Sequence, residues 1–360
     1  MNLDDFDYPL PPELIAQEPA SPRDQSRLMV LNRQSGSVFH DRFCNFPEYV
    51  RPGDTVVLND TKVWPARLLG KKKSGGKIEV LLLRKRERDS SDLAPFPSSE
   101  EDAGEWDCLI QNAGRLQPRV DLFFAEDVCG EVLGRTADGF WRLRLRGKTG
   151  LDDTIGRIGY PPLPPYIRRR GREDLKEMDL DRYQTIYARK PGAIAAPTAG
   201  LHFTKEVLEK IRNRGARVAF LTLHVGVGTF LPVKTARVEN HFLEPEAFDL
   251  PAETAAAVNA AKRSGGRVVA IGTTVVRTLE SRSDGKGRVQ PGTGRTGLFI
   301  LPGHRFQAVD AMVTNFHLPR STLLMLVSAF AGRERILAAY EEAIKERYRF
   351  YSYGDAMLIT

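Results

Sequence analysis

The chain has little cysteine and no long apolar stretch. Its three cysteines, Cys44, Cys108 and Cys129, form no Cys-x-x-Cys pair and leave an odd thiol under any pairing scheme. A disulfide framework is therefore not expected, and a reducing, cytoplasmic compartment is. The longest apolar run, residues 323–331, is about half of what a membrane span needs. The first residues, Met1-Asn-Leu-Asp-Asp-Phe-Asp, carry acid where a signal peptide carries base, so a soluble protein without a membrane partner is expected. Also missing are the Gly-x-x-x-x-Gly-Lys-Ser/Thr phosphate loop, the Gly-x-Ser-x-Gly elbow and His-Glu-x-x-His. The six histidines, at 40, 202, 224, 241, 304 and 317, are scattered, so no metal site is expected.

Against these absences stands an ordinary globular composition. The 360 residues are 41% apolar and 28% charged, enough for two domains with their own cores. Lys+Arg exceed Asp+Glu by 53 to 46, a net charge of +7. That permits a polyanionic partner without requiring one.

Two stretches read as exposed loops, residues 84–105 and the glycine-rich residues 281–297, and the Pro-rich segment from Tyr160 reads as a stiff hinge. Between residues 55 and 150, short apolar runs alternate at period two between turn residues. This predicts an antiparallel β-barrel or sandwich. After residue 200 the period lengthens. Thr204 can cap a helix that stops at Gly215 before a strand from Arg217, and a helix from Pro251 leads to Gly265-Gly266 and a strand from Arg267. Further helices are expected over 273–281, 321–331 and 334–345. Repeated helix-then-strand order argues for an α/β layer with mostly parallel strands. The expected architecture is α/β: a layered main domain, residues 1–60 with 152–360, carrying an inserted antiparallel β-barrel, residues 61–151.

Four loops at element ends attract attention, because ligands in α/β folds gather where strands end. The first is Pro191-Gly-Ala-Ile-Ala-Ala-Pro-Thr-Ala-Gly-Leu-His-Phe-Thr. Its small residues either admit a close approach to the backbone or merely fit against a sheet. The second, His224-Val-Gly-Val-Gly-Thr-Phe, places a histidine at a strand end, as either a hydrogen-bonded core residue or a catalyst. The third is Gly272-Thr-Thr-Val-Val-Arg-Thr-Leu-Glu, with Thr273 or Thr274 as cap; the fourth is Thr314-Asn-Phe-His-Leu-Pro-Arg-Ser-Thr. The tail from Tyr348 interleaves aromatics with base, which suits either nucleic acid or a closing core.

These segments resemble those of a known family. Besides the four loops, the resemblance rests on Asp4-Asp-Phe-Asp-Tyr, Leu14-Ile-Ala-Gln-Glu-Pro, Pro22-Arg-Asp-Gln-Ser-Arg-Leu and Asn59-Asp-Thr-Lys-Val-Trp-Pro-Ala-Arg-Leu. It also rests on Tyr160-Pro-Pro-Leu-Pro-Pro-Tyr-Ile, Tyr183-Gln-Thr-Ile-Tyr and Tyr351-Ser-Tyr-Gly-Asp-Ala-Met. The chain thus resembles, over essentially its whole length, the S-adenosylmethionine:tRNA ribosyltransferase-isomerases of queuosine biosynthesis. The resemblance implies an α/β domain with an inserted barrel. It implies transfer of the ribosyl part of S-adenosylmethionine to 7-aminomethyl-7-deazaguanine at the tRNA wobble position, giving epoxyqueuosine with release of adenine and methionine. The chain departs from the family pattern at Glu244-Pro245, where His-Ser is usual, and at Arg295 and Gly297, where an aromatic and an acid are common.

The sulfonium makes the adjacent 5′ carbon electrophilic and its hydrogens acidic, so no cofactor is expected beyond the consumed donor. The protein must supply a base, donors for developing negative charge and exclusion of water. On this reading the expected acid/base residues are His202, His224 and His317. Expected substrate contacts are Thr198, Gly200 and the amides before Thr204 for the methionine carboxylate, and Tyr183, Tyr187 and Phe203 for stacking. Gly226, Gly228, Thr229, Thr273, Thr274, Arg277 and Asn315 are expected around ribose and base edges, with Glu246 attracting the sulfonium. For tRNA the expected surface is Arg168, Arg169, Arg170 and Lys72, and a monomer is expected. The rival readings are an S-adenosylmethionine-dependent RNA methyltransferase, whose usual glycine fingerprint is missing, and a non-catalytic RNA-binding protein.

Overall fold

The structure is a computed structural model. It describes all residues except 87–100, 115, 149, 170, 227, 229–234 and 236, and only the backbone at 101. The chain falls into two compact units: Met1–Val63 with Pro164–Gly171 and Asp181–Thr360, and Trp64–Leu163 with Arg172–Leu180.

The first unit is built on a nine-stranded mixed sheet. Four adjacent strands run parallel: Arg217–Leu223, Thr55–Asn59, Val268–Ile271 and Ala311–Asn315. Beyond Arg217–Leu223 the sheet continues antiparallel through Glu246–Leu250 to Gly292–Thr296. On the other side it continues through Ala356–Ile359 and Arg27–Leu31 to Val38–Arg42. All five residues of Thr55–Asn59 are buried, as a strand covered on both faces must be. Val57 joins the core under the helices Ala252–Arg263, Thr273–Ser281, Thr322–Ala331 and Arg333–Lys345. Val56 and Leu58 face the opposite core, with Phe203 and the helix Lys205–Asn213. Thr204 and Ser321 cap their helices, each hydroxyl accepting from a backbone amide in the first turn.

The second unit is a closed six-stranded barrel in the order Trp141–Lys148, Glu101–Gln111, Lys77–Lys85, Arg67–Lys72, Asp121–Phe123 and Cys129–Arg135. Period-two alternation sends Leu143 and Leu145 inward and their arginine neighbours outward. Helix Leu151–Ile158 buries Leu151 and Ile155 within this same unit, so its contacts extend past residue 151.

Three expectations change. The run at residues 55–58, which its period grouped with the barrel although the expected boundary at residue 60 put it in the main domain, is a central strand of the main sheet, because fully covered and half-covered strands both look short and apolar. The stretch 281–297 contains the edge strand Gly292–Thr296. Of the loop at 84–105, residues 87–100 lie outside the described residues, while its ends continue barrel strands. Among the described residues no helix is long and apolar enough to cross a membrane.

Candidate active site

The loop over residues 190–203 crosses the carboxyl ends of the parallel strands, where chain direction in an α/β sheet leaves room for ligands. Gly192 lies on the ring of His224, Ala199 is beside Gly272, and His202 meets Asn315. His224, Gly272 and Asn315 stand at the ends of three different parallel strands.

At the Arg217–Leu223 end, Asn59 bridges two strands as they part. Its Nδ2 donates to the Leu223 carbonyl (2.9 Å) and the Thr274 hydroxyl (3.2 Å), while its Oδ1 accepts from the Leu223 and Thr61 amides. Thr61 is thereby set 2.8 Å from His224 Nδ1. Next to it, buried Asp60 accepts from the Thr222 hydroxyl (2.6 Å) and pairs with Arg189 (2.9 Å). His224 is partly exposed. Burial lowers its pKa, an effect that Asp60 opposes and Lys190 reinforces, so the ring is neutral at pH 7. In the tautomer in which the Thr61 hydroxyl accepts from Nδ1–H, Nε2 is the nitrogen with a free lone pair, as a base requires. Gly192 permits this arrangement: at φ 143° a Cβ there would stand 2.9 Å from the imidazole.

The other two histidines are held differently. His202 is buried, with Nδ1 2.7 Å from the Ser26 hydroxyl and Nε2 3.2 Å from Asn315 Nδ2. Burial, with Arg349 and Arg23 adding to it, pushes its pKa down to about 3. His317 is likewise pushed to about 3 by burial, with Nε2 on the Thr314 hydroxyl (2.7 Å). Its amide donates to the Tyr340 hydroxyl, and its carbonyl accepts from Tyr8. Both are buried and held neutral within the fold, whereas the His224 ring is partly exposed.

Several expected contacts are consumed internally. Glu246 and Arg277 pair with each other: Glu246 Oε1 accepts from the Gly226 amide (2.8 Å), its Oε2 meets Arg277, and Arg277 Nε donates to the Leu298 carbonyl (3.0 Å). Each is thus occupied by the other and less than 10% exposed. Phe203 is fully buried, edge-on to Phe43 (5.1 Å) and Phe46 (5.8 Å), and Tyr183 is buried against Tyr353. Neither can stack on a base. The Gly200 amide donates to the Pro197 carbonyl within the turn Thr198–His202, and Thr204 caps its own helix. Helix Thr273–Ser281 has Gly272, not a threonine, at its cap; Thr273 is buried, and Thr274 accepts from Asn59. Thr198 and Gly228 are partly exposed, and Thr229 lies outside the described residues. The tail aromatics Tyr348, Phe350, Tyr351 and Tyr353 close the core.

Some polar groups remain unsatisfied. The Tyr187 hydroxyl, Thr185 Oγ1 and Asn315 Oδ1 are buried and have no hydrogen-bond partner. The first lies against Gly200, where a Cβ would stand 2.1 Å from it. Asn315 is pinned through Nδ2, which donates to His202 and the Tyr351 carbonyl, leaving Oδ1 as a fixed acceptor.

Of the expected tRNA surface, the Arg168 amide donates to Gln17 Oε1, and Arg169 donates to the Gln17 carbonyl (2.7 Å). Lys72 donates to the Ala113 carbonyl (2.8 Å), and Arg170 lies outside the described residues. Sequence reasoning missed Asn59, Asp60 and Thr61 as site residues, although three consecutive short polar side chains ending a buried strand are a signal.

Known proteins can now be set beside this geometry. The family model described as queuosine biosynthesis protein matches residues 3–359. The chain belongs to this family. Family relatives named S-adenosylmethionine:tRNA ribosyltransferase-isomerase are 50% identical in Geobacter metallireducens, over 360 residues, and 49% in Symbiobacterium thermophilum, over 361 residues. Each match covers 100% of both chains. A crystal structure of S-adenosylmethionine tRNA ribosyltransferase from Thermotoga maritima is 38% identical, covers 99% of this chain and 100% of that one, and has a TM-score of 0.54. This queuosine biosynthesis protein is an enzyme, a transferase of the ribosyltransferase-isomerase kind. Its two departures from the family pattern are spatial neighbours. Arg295 donates to the Pro245 carbonyl (2.5 Å), and a Cβ on Gly297 would stand 3.4 Å from the Pro245 ring.

Proposed function

We propose that this family member transfers the ribosyl part of S-adenosylmethionine to 7-aminomethyl-7-deazaguanine at the wobble position of tRNA. The sugar is isomerised to give epoxyqueuosine, and adenine and methionine are released. The observation that supports this reading is full-length likeness, at 50% identity, to a relative named S-adenosylmethionine:tRNA ribosyltransferase-isomerase.

The geometry supports one division of roles. His224 Nε2 takes the proton from the 5′ carbon next to the sulfonium, with Nδ1 held by Thr61. The ring is neutral at pH 7 and already aimed, so proton transfer needs no reorganisation of the base. Asn315 Oδ1 accepts from a ribose hydroxyl, and the Tyr187 and Thr185 hydroxyls bind the same nucleoside; buried polar atoms without partners are rare enough to ask for a ligand. The loop over residues 190–203 excludes water from the strand ends. The sulfonium supplies its own leaving group, so neither a metal nor a redox cofactor takes part.

The test is incubation with donor labelled in the ribose and tRNA bearing 7-aminomethyl-7-deazaguanine. Label in tRNA with release of adenine and methionine is expected, at the same rate after dialysis against EDTA. Formation of S-adenosylhomocysteine, or tRNA binding without label transfer, would overturn the reading.

A further inference from the structure

The outer face of the barrel carries an ordered array of cations that ribosyl transfer does not use. Along Trp141–Lys148, the residues that alternate with the buried Leu143 and Leu145 are Arg142, Arg144 and Arg146. Alternate strand residues repeat at about 6.6–6.8 Å, close to the step between successive phosphates of a nucleic-acid strand. One acid near this row is buried beneath it, and two lie alongside. Asp107 is opposite Arg142, with its side chain 1% exposed, and it is covered by Arg84 (2.7 Å) and Arg86 (2.7 Å). Glu105 and Glu131 flank Arg144, and Arg146 reaches Glu131 only at 3.6 Å. The Arg142 side chain has no hydrogen bond or ion pair among the described residues.

Asp107 is thus a buried carboxylate under exposed guanidiniums, with Arg84 53% exposed, while Glu105 and Glu131 lie at the surface beside Arg144 and Arg146. A guanidinium has five donors, and one carboxylate occupies two of them, so outward donors remain. Exposed ion pairs contribute little to stability, so folding alone does not explain five arginines over three acids.

We propose that this barrel face is a docking surface for the sugar–phosphate backbone of RNA, with Arg142, Arg144 and Arg146 meeting successive phosphates and Arg84 and Arg86 flanking them. That the RNA is tRNA rests on the function proposed above; the surface itself asks only for a polyphosphate strand.

The experiment measures binding of a tRNA transcript to the full chain between 50 and 200 mM NaCl, for the protein and for two variants. In the first, Arg142, Arg144 and Arg146 are all replaced by Gln. In the second, Arg142→Glu alone disturbs no pair among the described residues. Each lost phosphate contact lowers the slope of log K against log salt by about 0.7–0.9. The triple variant is thus expected to lose about 2–3 units of slope and at least tenfold in affinity at low salt. Arg142→Glu is expected to weaken binding severalfold, and S-adenosylmethionine binding stays unchanged in both. Unchanged slopes in variants that melt like the parent overturn the surface and leave ribosyl transfer standing. Salt-dependent binding that the variants weaken, by a protein that transfers no ribosyl group, leaves the surface standing and overturns the function.

Discussion

Thr61 Oγ1 lies 2.8 Å from His224 Nδ1 and sets which nitrogen of that ring faces the strand ends. His224→Ala is expected to lower kcat for ribosyl transfer at least 100-fold, in the range seen when a general base is lost, with donor binding intact. Thr61→Val keeps the base and loses its orientation, and a roughly tenfold fall is expected. Single-turnover rates with a donor-binding isotherm separate these outcomes; full activity of His224→Ala would remove the assignment.

The acid limb of the rate follows from the same ring. Burial lowers the His224 pKa below 6.5, and the neutral form is the active one. The rate is expected to rise with pH, reach half its plateau below pH 6.5 and stay flat from there to pH 8. A half-maximum above pH 7 would point to a different base.

Gly192→Ala should act on chemistry as well as costing some folding stability. Its Cβ would stand 2.9 Å from the imidazole, at a backbone angle that L residues rarely adopt. Displacement of the ring is expected to cost at least tenfold in kcat, with KM for tRNA unchanged. An unaltered kcat would show that the ring tolerates a shift.

His202 and His317 predict an acid-sensitive fold. Each is held near pKa 3 in the native protein, whereas the unfolded chain binds a proton near 6.5. Each contribution is intact above about pH 6.5. As pH falls from there towards 3, stability declines by about 1.4 kcal/mol per unit for each histidine. Urea midpoints at pH 7.5 and 5.5 measure the slope, and His202→Asn is expected to flatten it. Equal slopes in both proteins would show that His202 takes up its proton without unfolding.

Breaking the Glu246–Arg277 pair should be costly. Both side chains are under 10% exposed, and Arg277→Ala leaves a buried carboxylate whose remaining partner is the Gly226 amide. A loss of about 3–5 kcal/mol is expected by denaturant unfolding. A loss below 1 kcal/mol would mean that water reaches the site.

Much of this architecture was legible because local rules and tertiary structure agree. The Thr204 cap, the Gly215 stop and the period-two alternation of the barrel strands each read correctly from neighbours in sequence. The small residues of the 191–204 loop also signalled close approach, but what approaches is the protein's own Tyr187 and His224. Pairs far apart in sequence were not legible. Nothing local distinguishes an Arg277 that meets Glu246 from one that meets substrate, since both need a cation at a helix start. The same holds for His202 and His224: each follows a strand or turn, and only the fold decides which ring is sealed by Ser26 and Asn315. Phe203 and Tyr183 read as stacking platforms because burial does not show in an aromatic's identity.

The short ribbon of Thr61–Val63 and Lys190–Ala193 is parallel, and parallel neighbours cannot be joined by a tight turn. Its two strands hold the two restraints on His224: Thr61 at one ring nitrogen and Gly192 across the ring face. The intervening chain, barrel included, is the connection that lets both strands run the same way. A shortened protein that replaced residues 64–189 with a two-residue hairpin turn would have to reverse one strand, and would lose the alignment of the base without altering any residue that touches it.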